Sequence, residues 1–127
     1  MKQPILIIDD ESAIRELLTI ILSEENYDVV TFDQFKTINE IIEVEACLII
    51  LDAKMPRISG IELSHTLKSH PRTCQVPILA LSASNPKELE GMQCDAFLPK
   101  PFNVEDLLEL VRNLCRSNVQ ELEPLAS

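Results

Sequence analysis

The sequence has only two glycines, Gly60 and Gly91. Neither a G-x-G-x-x-G fingerprint nor a G-x-x-x-x-G-K-[ST] phosphate loop can be built from them, which disfavours dinucleotide and P-loop nucleotide binding. Positive charge is scarce as well: 11 basic residues face 21 acidic ones, for a formal net charge of -10. Direct contact with nucleic acid or with a membrane surface is therefore not expected, and protein partners and cations are favoured. Long apolar runs are missing. Stretches such as Cys47 to Leu51 are strand-sized, far short of the roughly 20 residues that cross a bilayer. Met1-Lys2-Gln3-Pro4 leads straight into one such run instead of the longer apolar stretch of an export signal, so a cytoplasmic protein is expected. No C-x-x-C pair occurs: Cys47, Cys74, Cys94 and Cys115 are widely spaced and read as reduced core or near-surface thiols.

What remains describes one globular domain. The 127 residues suffice for a single core, and 46% hydrophobic with 25% charged residues is close to the globular average, which excludes wholesale disorder. Residues 1–118 are assigned to the domain and 119–127 to a polar C-terminal tail or linker stub.

Short apolar runs alternate with helical spacing along the chain. Pro4 to Ile8 reads as a strand; Ile14, Leu17, Leu18, Ile21 and Leu22 follow three and four apart, as on a helix that Asn26 closes. Tyr27 to Phe32 is a second strand, and Phe35, Ile38, Ile41 and Ile42 mark a second helix. Cys47 to Leu51 is apolar at every position, as a strand covered on both faces should be. After a turn at 55–60, a helix with Ile61, Leu63 and Leu67 is stopped by His70-Pro71. Pro77 to Leu81 and Ala96 to Leu98 are further strands, separated by a short helix opened by Pro86. Asn103 caps a last helix whose face carries Val104, Leu107, Leu108, Val111 and Leu114. Leu110 falls off that stripe, as a lone surface leucine or part of a partner-binding patch. This alternation implies a doubly wound α/β fold with a mainly parallel, five-stranded sheet.

In such a sheet the crevice lies beyond the carboxyl ends of the strands. There the sequence places Asp9 and Asp10 after the first strand, Asp52 after the third, Ser82 after the fourth and Lys100 just past the fifth. Clustered carboxylates repel one another unless protonated or neutralised by a cation, and a hard divalent ion such as Mg2+ suits an all-oxygen donor set. A neighbouring aspartate can then act as a nucleophile toward phosphorus. Taken singly, each residue has a plainer explanation: an acidic helix start for Asp9 and Asp10, a turn residue for Asp52, a loop serine, a solvated lysine. Their joint placement at four strand ends outweighs these. His65 and His70 lie on or beside the third helix, away from this rim, and read as solvent-facing.

The motifs Ile8-Asp9-Asp10-Glu11, Leu51-Asp52-Ala53-Lys54-Met55-Pro56 with Ser59-Gly60, Leu81-Ser82-Ala83 and Lys100-Pro101-Phe102 resemble those of receiver domains of two-component response regulators, a likeness running from about Ile5 to Cys115. The resemblance implies a flavodoxin-like (βα)5 fold with strand order 2-1-3-4-5. It implies a signalling phosphoacceptor, not an enzyme acting on an external substrate, although one that assists its own phosphorylation and dephosphorylation. Asp52 would accept phosphate from a phosphohistidine on a sensor kinase or phosphotransfer protein. Asp10, Asp52 and the Lys54 backbone carbonyl would ligate Mg2+, with Asp9 acting mainly through a metal-bound water. Lys100 would hold the phosphoryl group beside a cis peptide to Pro101, and Ser82 and Phe97 would be the switch pair. The surface of the fourth helix, fifth strand and last helix would report to a partner or output domain. Departures from the family pattern are also present. The Ser82-to-Lys100 stretch is about one helical turn short, so the fourth helix should be shortened, and Phe97 lacks a tyrosine hydroxyl, so an inward ring is expected even without phosphate. Two alternatives stand beside this reading: a pseudo-receiver that never carries phosphate, and a haloacid-dehalogenase-like phosphatase, whose general acid is missing because position 54 is lysine.

Overall fold

The computed structural model describes residues 3–34, 36–55, 59–82 and 86–122. Phe35, the centre of the 55–60 turn, Ala83 and the last five positions of the expected tail lie outside the described residues. Five parallel strands, β1 (Ile5–Ile8), β2 (Val29–Phe32), β3 (Leu48–Asp52), β4 (Ile78–Ser82) and β5 (Ala96–Pro99), form one sheet in the order β2-β1-β3-β4-β5. The four crossovers carry α1 (Ser12–Glu24), α2 (Ile38–Ile42), α3 (Gly60–Ser69) and a 3-10 turn (Pro86–Leu89), and α4 (Val104–Leu122) follows β5. The fold is thus a doubly wound α/β sheet with a shortened fourth crossover helix.

Burial explains which segments became strands. Every residue of β1, β3 and β4 is buried, because each of these strands has a neighbour on both sides and helices over both faces. Alternate residues feed two cores. Ile5, Ile7, Leu48, Ile50, Leu79, Leu81 and Leu98 pack with Leu18, Ile21 and Leu22 of α1 and Leu107 and Val111 of α4. Leu6, Ile8, Ile49, Leu51 and Ile78 pack on the other face with Ile41 of α2 and Leu63 and Leu67 of α3.

Local signals fix the helix ends. Asn26 adopts φ 68°, the left-handed conformation that asparagine tolerates, just past the end of α1. The Ser59 side chain accepts the Glu62 N–H at 3.2 Å to cap α3, and Asn103 Oδ1 accepts the Asp106 N–H at 2.7 Å to cap α4.

Several expectations need correction. Leu17 is 45% exposed, since the sheet-facing stripe of α1 runs through Ile14, Leu18, Ile21 and Leu22 and leaves Leu17 to one side. Leu110 is half-buried and packs against the α1/α4 core, so it is neither a lone surface leucine nor a free patch. His70 is also half-buried, its Nδ1 accepting the Arg72 N–H at 3.1 Å. Phe97 is 53% exposed, not inward. Its β4 partner is Ala80, on the face that α3 covers, but among the described residues between β4 and β5 the helical element is the 3-10 turn, too short to roof the ring. α4 extends to Leu122, so residues 119–122 of the expected tail are helical.

Candidate functional site

Parallel strands bring their carboxyl ends to one rim, and the rim collects the acidic residues. Asp9 follows β1 and is fully buried, Asp52 ends β3 at 5% exposure, Ser82 ends β4 at 3%, and Asp10 is exposed. Because α1 begins only at Ser12, with no acidic residue in its first turn, Asp9 and Asp10 stand before the helix and not within it. Asp9, Asp10 and Asp52 can each offer a carboxylate oxygen, with all three oxygens within 4.8 Å of one another, so these residues could hold a metal ion.

Lys100 enters from the far side of the sheet. Its Nζ lies 3.4 Å from Asp9 Oδ2, 3.3 Å from Glu11 Oε1 and 3.6 Å from Asp52 Oδ2. The backbone sets this reach: the Lys100 N–H donates to the Ser82 carbonyl at 2.6 Å, extending the β4–β5 ladder by one residue, and the following Lys100–Pro101 peptide is cis. The Lys54 N–H donates to Asp52 Oδ1 at 3.1 Å and the Glu11 N–H to Asp9 Oδ1 at 2.9 Å, so each buried carboxylate is oriented by an amide two residues on. The Lys54 side chain is exposed, and its residue bridges to Ser59 across the loop.

Two participants escaped the sequence reading. Glu11 adds a carboxylate to the Lys100 pairing, and Arg15 Nη1 donates to the Asp9 carbonyl at 2.8 Å, tying α1 to the rim. Glu11 was visible beside the acidic pair, but its partner comes from a strand 89 positions away; Arg15 carried no local signal. His65 is held elsewhere, with Nε2 2.6 Å from the Gly91 carbonyl and Nδ1 2.9 Å from Gln93 Nε2.

The electrostatics follow from crowding. Burial, then the Asp9 carboxylate, push the Asp52 carboxyl up from its ordinary 3.8 to about 6; Asp10 adds a little, while the Lys54 amide and Lys100 pull the other way. Burial pulls Lys100 down, but Asp52, Asp9 and Glu11 together hold it above the usual lysine range.

A pH dependence follows for the metal-free protein. Because the folded value of Asp52 exceeds the unfolded one, its protonation favours the native state; that gain is complete below pH 3.8 and is lost as pH rises through about 6. Asp52→Asn should remove a slope worth about 2 kcal/mol over that window. Urea unfolding of both proteins with chelator, at each end of the window, measures the difference. Parallel stability curves would contradict it.

Comparisons with known proteins place the chain in a family. The family model of the response regulator receiver domain matches residues 5–112. The DNA-binding dual master transcriptional regulator RpaA of Synechocystis sp. is 36% identical over 117 residues, which are 88% of this chain and 48% of that protein. The phosphate regulon transcriptional regulatory protein PhoB of Pseudomonas aeruginosa is 31% identical over 88% of this chain and 51% of its own length. The chain thus spans about half the length of these relatives. Among solved structures, the Vibrio cholerae chemotaxis protein CheY4 superposes with a TM-score of 0.79 at 25% identity, covering 90% of this chain and 99% of that one. The receiver domain of a Syntrophus aciditrophicus histidine kinase gives 0.76 at 27%, covering 91% of each chain. With the sheet order, the acidic rim and the matched residues in agreement, the chain belongs to the response regulator receiver domain family, whose members are signalling phosphoacceptors of two-component systems.

Proposed function

We propose that Asp52 is the phosphoacceptor of this domain, working with Mg2+ and loaded from a phosphohistidine on a sensor kinase or phosphotransfer protein. The observation that carries the reading is the convergence of Asp9, Asp10, Asp52 and the Lys100 ammonium at one end of the sheet. An all-oxygen, triply acidic donor set fits Mg2+. Asp10, Asp52 and the Lys54 carbonyl would hold the ion directly and Asp9 through a water. When bound, Mg2+ offsets the charge of the carboxylates and of the phosphoryl oxygens.

A carboxylate oxygen of Asp52 attacks phosphorus, and the imidazole of the partner's histidine leaves. Lys100, already directed at Asp52, pairs with the phosphoryl charge, and the Ser82 hydroxyl donates to a phosphoryl oxygen. Phe97 then turns inward from its exposed position, changing the surface that β5 and α4 present to a partner or an output domain. The domain also assists the later hydrolysis of its own acyl phosphate. Its net charge of -10 suits a protein target better than direct contact with DNA. RpaA is described as DNA-binding, but this chain matches only 48% of it.

The test is intact-mass measurement after incubation with acetyl phosphate. The wild type should gain one phosphoryl group with Mg2+ and none with chelator, and Asp52→Asn should gain none in either. A wild type that stays unmodified, or an Asn variant that is modified, would overturn the assignment.

A further inference from the structure

Cys47 and Cys115 lie 68 residues apart in sequence, yet their sulfurs are 3.7 Å apart at the end of the sheet opposite the acidic rim. Cys47 immediately precedes β3, where its N–H donates to the Pro4 carbonyl at 2.9 Å, and Cys115 lies on α4 with 8% exposure. From these positions we infer that Cys47 and Cys115 form a reversible disulfide when the domain meets hydrogen peroxide, with Cys47 the attacking and Cys115 the resolving thiol.

Geometry and access both assign the roles. A disulfide needs about 2.05 Å between sulfurs. The missing distance is of the size that side-chain rotation and a small shift of α4 supply, and no intervening group has to leave, since the sulfurs already contact each other. Cys47 is partly exposed and Cys115 buried, so a small oxidant reaches Cys47 first. The sulfur–sulfur contact with Cys115 holds the Cys47 thiol below its usual range, while the same contact and burial push Cys115 up, which favours Cys47 as the thiolate. Cys74 and Cys94 have no such partner: Cys74 Sγ is 3.7 Å from the Pro71 carbonyl, and Cys94 is packed against the α2/α3 core.

The chemistry balances with the peroxide as oxidant. The Cys47 thiolate attacks one oxygen and breaks the O–O bond; the departing hydroxide takes a proton to become water, leaving a sulfenic acid on Cys47. Cys115 gives up its proton and attacks that sulfur. The S–OH bond breaks, a second water leaves and the S–S bond forms. Two thiols lose two electrons, and one peroxide becomes two waters.

The product would staple the start of β3 to α4 across a loop long enough to raise the thermal midpoint by roughly 10 °C. Peroxide treatment of the full chain, followed by unfolding and alkylation with N-ethylmaleimide, tests this. Wild type should take up two labels in place of four, with a mass loss of two hydrogens, and digestion should yield a linked peptide pair containing Cys47 and Cys115. Dithiothreitol should restore all four labels. Cys74→Ser/Cys94→Ser should still close its bridge and show the higher midpoint, whereas Cys115→Ser should stop at a sulfenic acid trapped by dimedone. Four labels after oxidation, a linkage through Cys74 or Cys94, or an unchanged midpoint in the oxidised wild type would overturn the inference. None of these readouts involves Asp52.

Discussion

Lys100→Ala should lower the stability of the metal-free protein by about 3 kcal/mol at neutral pH, and Mg2+ should return most of that loss. The Asp9 carboxylate is fully buried, and the Asp52 side chain is 6% exposed. The Lys100 ammonium lies within 3.6 Å of both, and it is the one cation with salt bridges to them among the described residues. Removing it leaves buried negative charge without its partner, a change that costs several kcal/mol when nothing relaxes. Part of the penalty is absorbed by Asp52, which already binds its proton with a value near 6 and would bind it more tightly still without the ammonium. A divalent cation at the three carboxylates, as proposed, would replace the missing charge, so chelator and Mg2+ should give widely different urea midpoints for the variant and closer ones for the wild type. An equal deficit under both conditions would mean that the lysine contributes packing and not charge.

Gly60→Ala should cost about 3 kcal/mol through crowding of main-chain atoms that cannot move aside cheaply. A methyl group at residue 60 would sit 2.5 Å from the Asp52 carbonyl oxygen, 2.7 Å from that of Ala53 and 2.9 Å from the Ala53 Cα. All three are backbone, so relief requires moving the segment that leaves β3 at Asp52 or the start of α3. The requirement is spatial: it is the close approach of α3 to this loop that needs hydrogen at that position. Unfolding should show the destabilisation, and the phosphate incorporation assay should show slower loading, because the displaced carbonyls belong to Asp52 and its neighbour. A variant with a wild-type midpoint would show that the loop yields freely.

The central strands were legible because a parallel strand covered on both faces leaves an uninterrupted apolar run, and β1, β3 and β4 each have one. Asp9, Asp52, Ser82 and Lys100 could be placed at one rim for the same reason, since parallel strands share a direction and each residue sits just past its run. Neighbour effects were not legible. Leu17 satisfied helical spacing but lies off the stripe that meets the sheet. The outward Phe97 depends on how little helix covers β5, which composition does not reveal. Glu11 and Arg15 acquire their roles only when β5 and α1 arrive beside them, and the Cys47–Cys115 contact joins residues whose local sequences say nothing of each other. α4 continues through the polar residues after Cys115 because none of them up to Leu122 is a glycine or proline that would stop a helix.

The short passage from β4 to β5 has a consequence for how this molecule can be read from outside. A longer crossover would offer a rigid cylinder whose tilt or slide a visitor could sense. Here a partner approaching that side encounters an aromatic ring standing on a border strand. If Phe97 turns as proposed, such a contact would distinguish a knob from a flat patch, and recognition would depend on a single rotation about a Cα–Cβ bond instead of the travel of a helix.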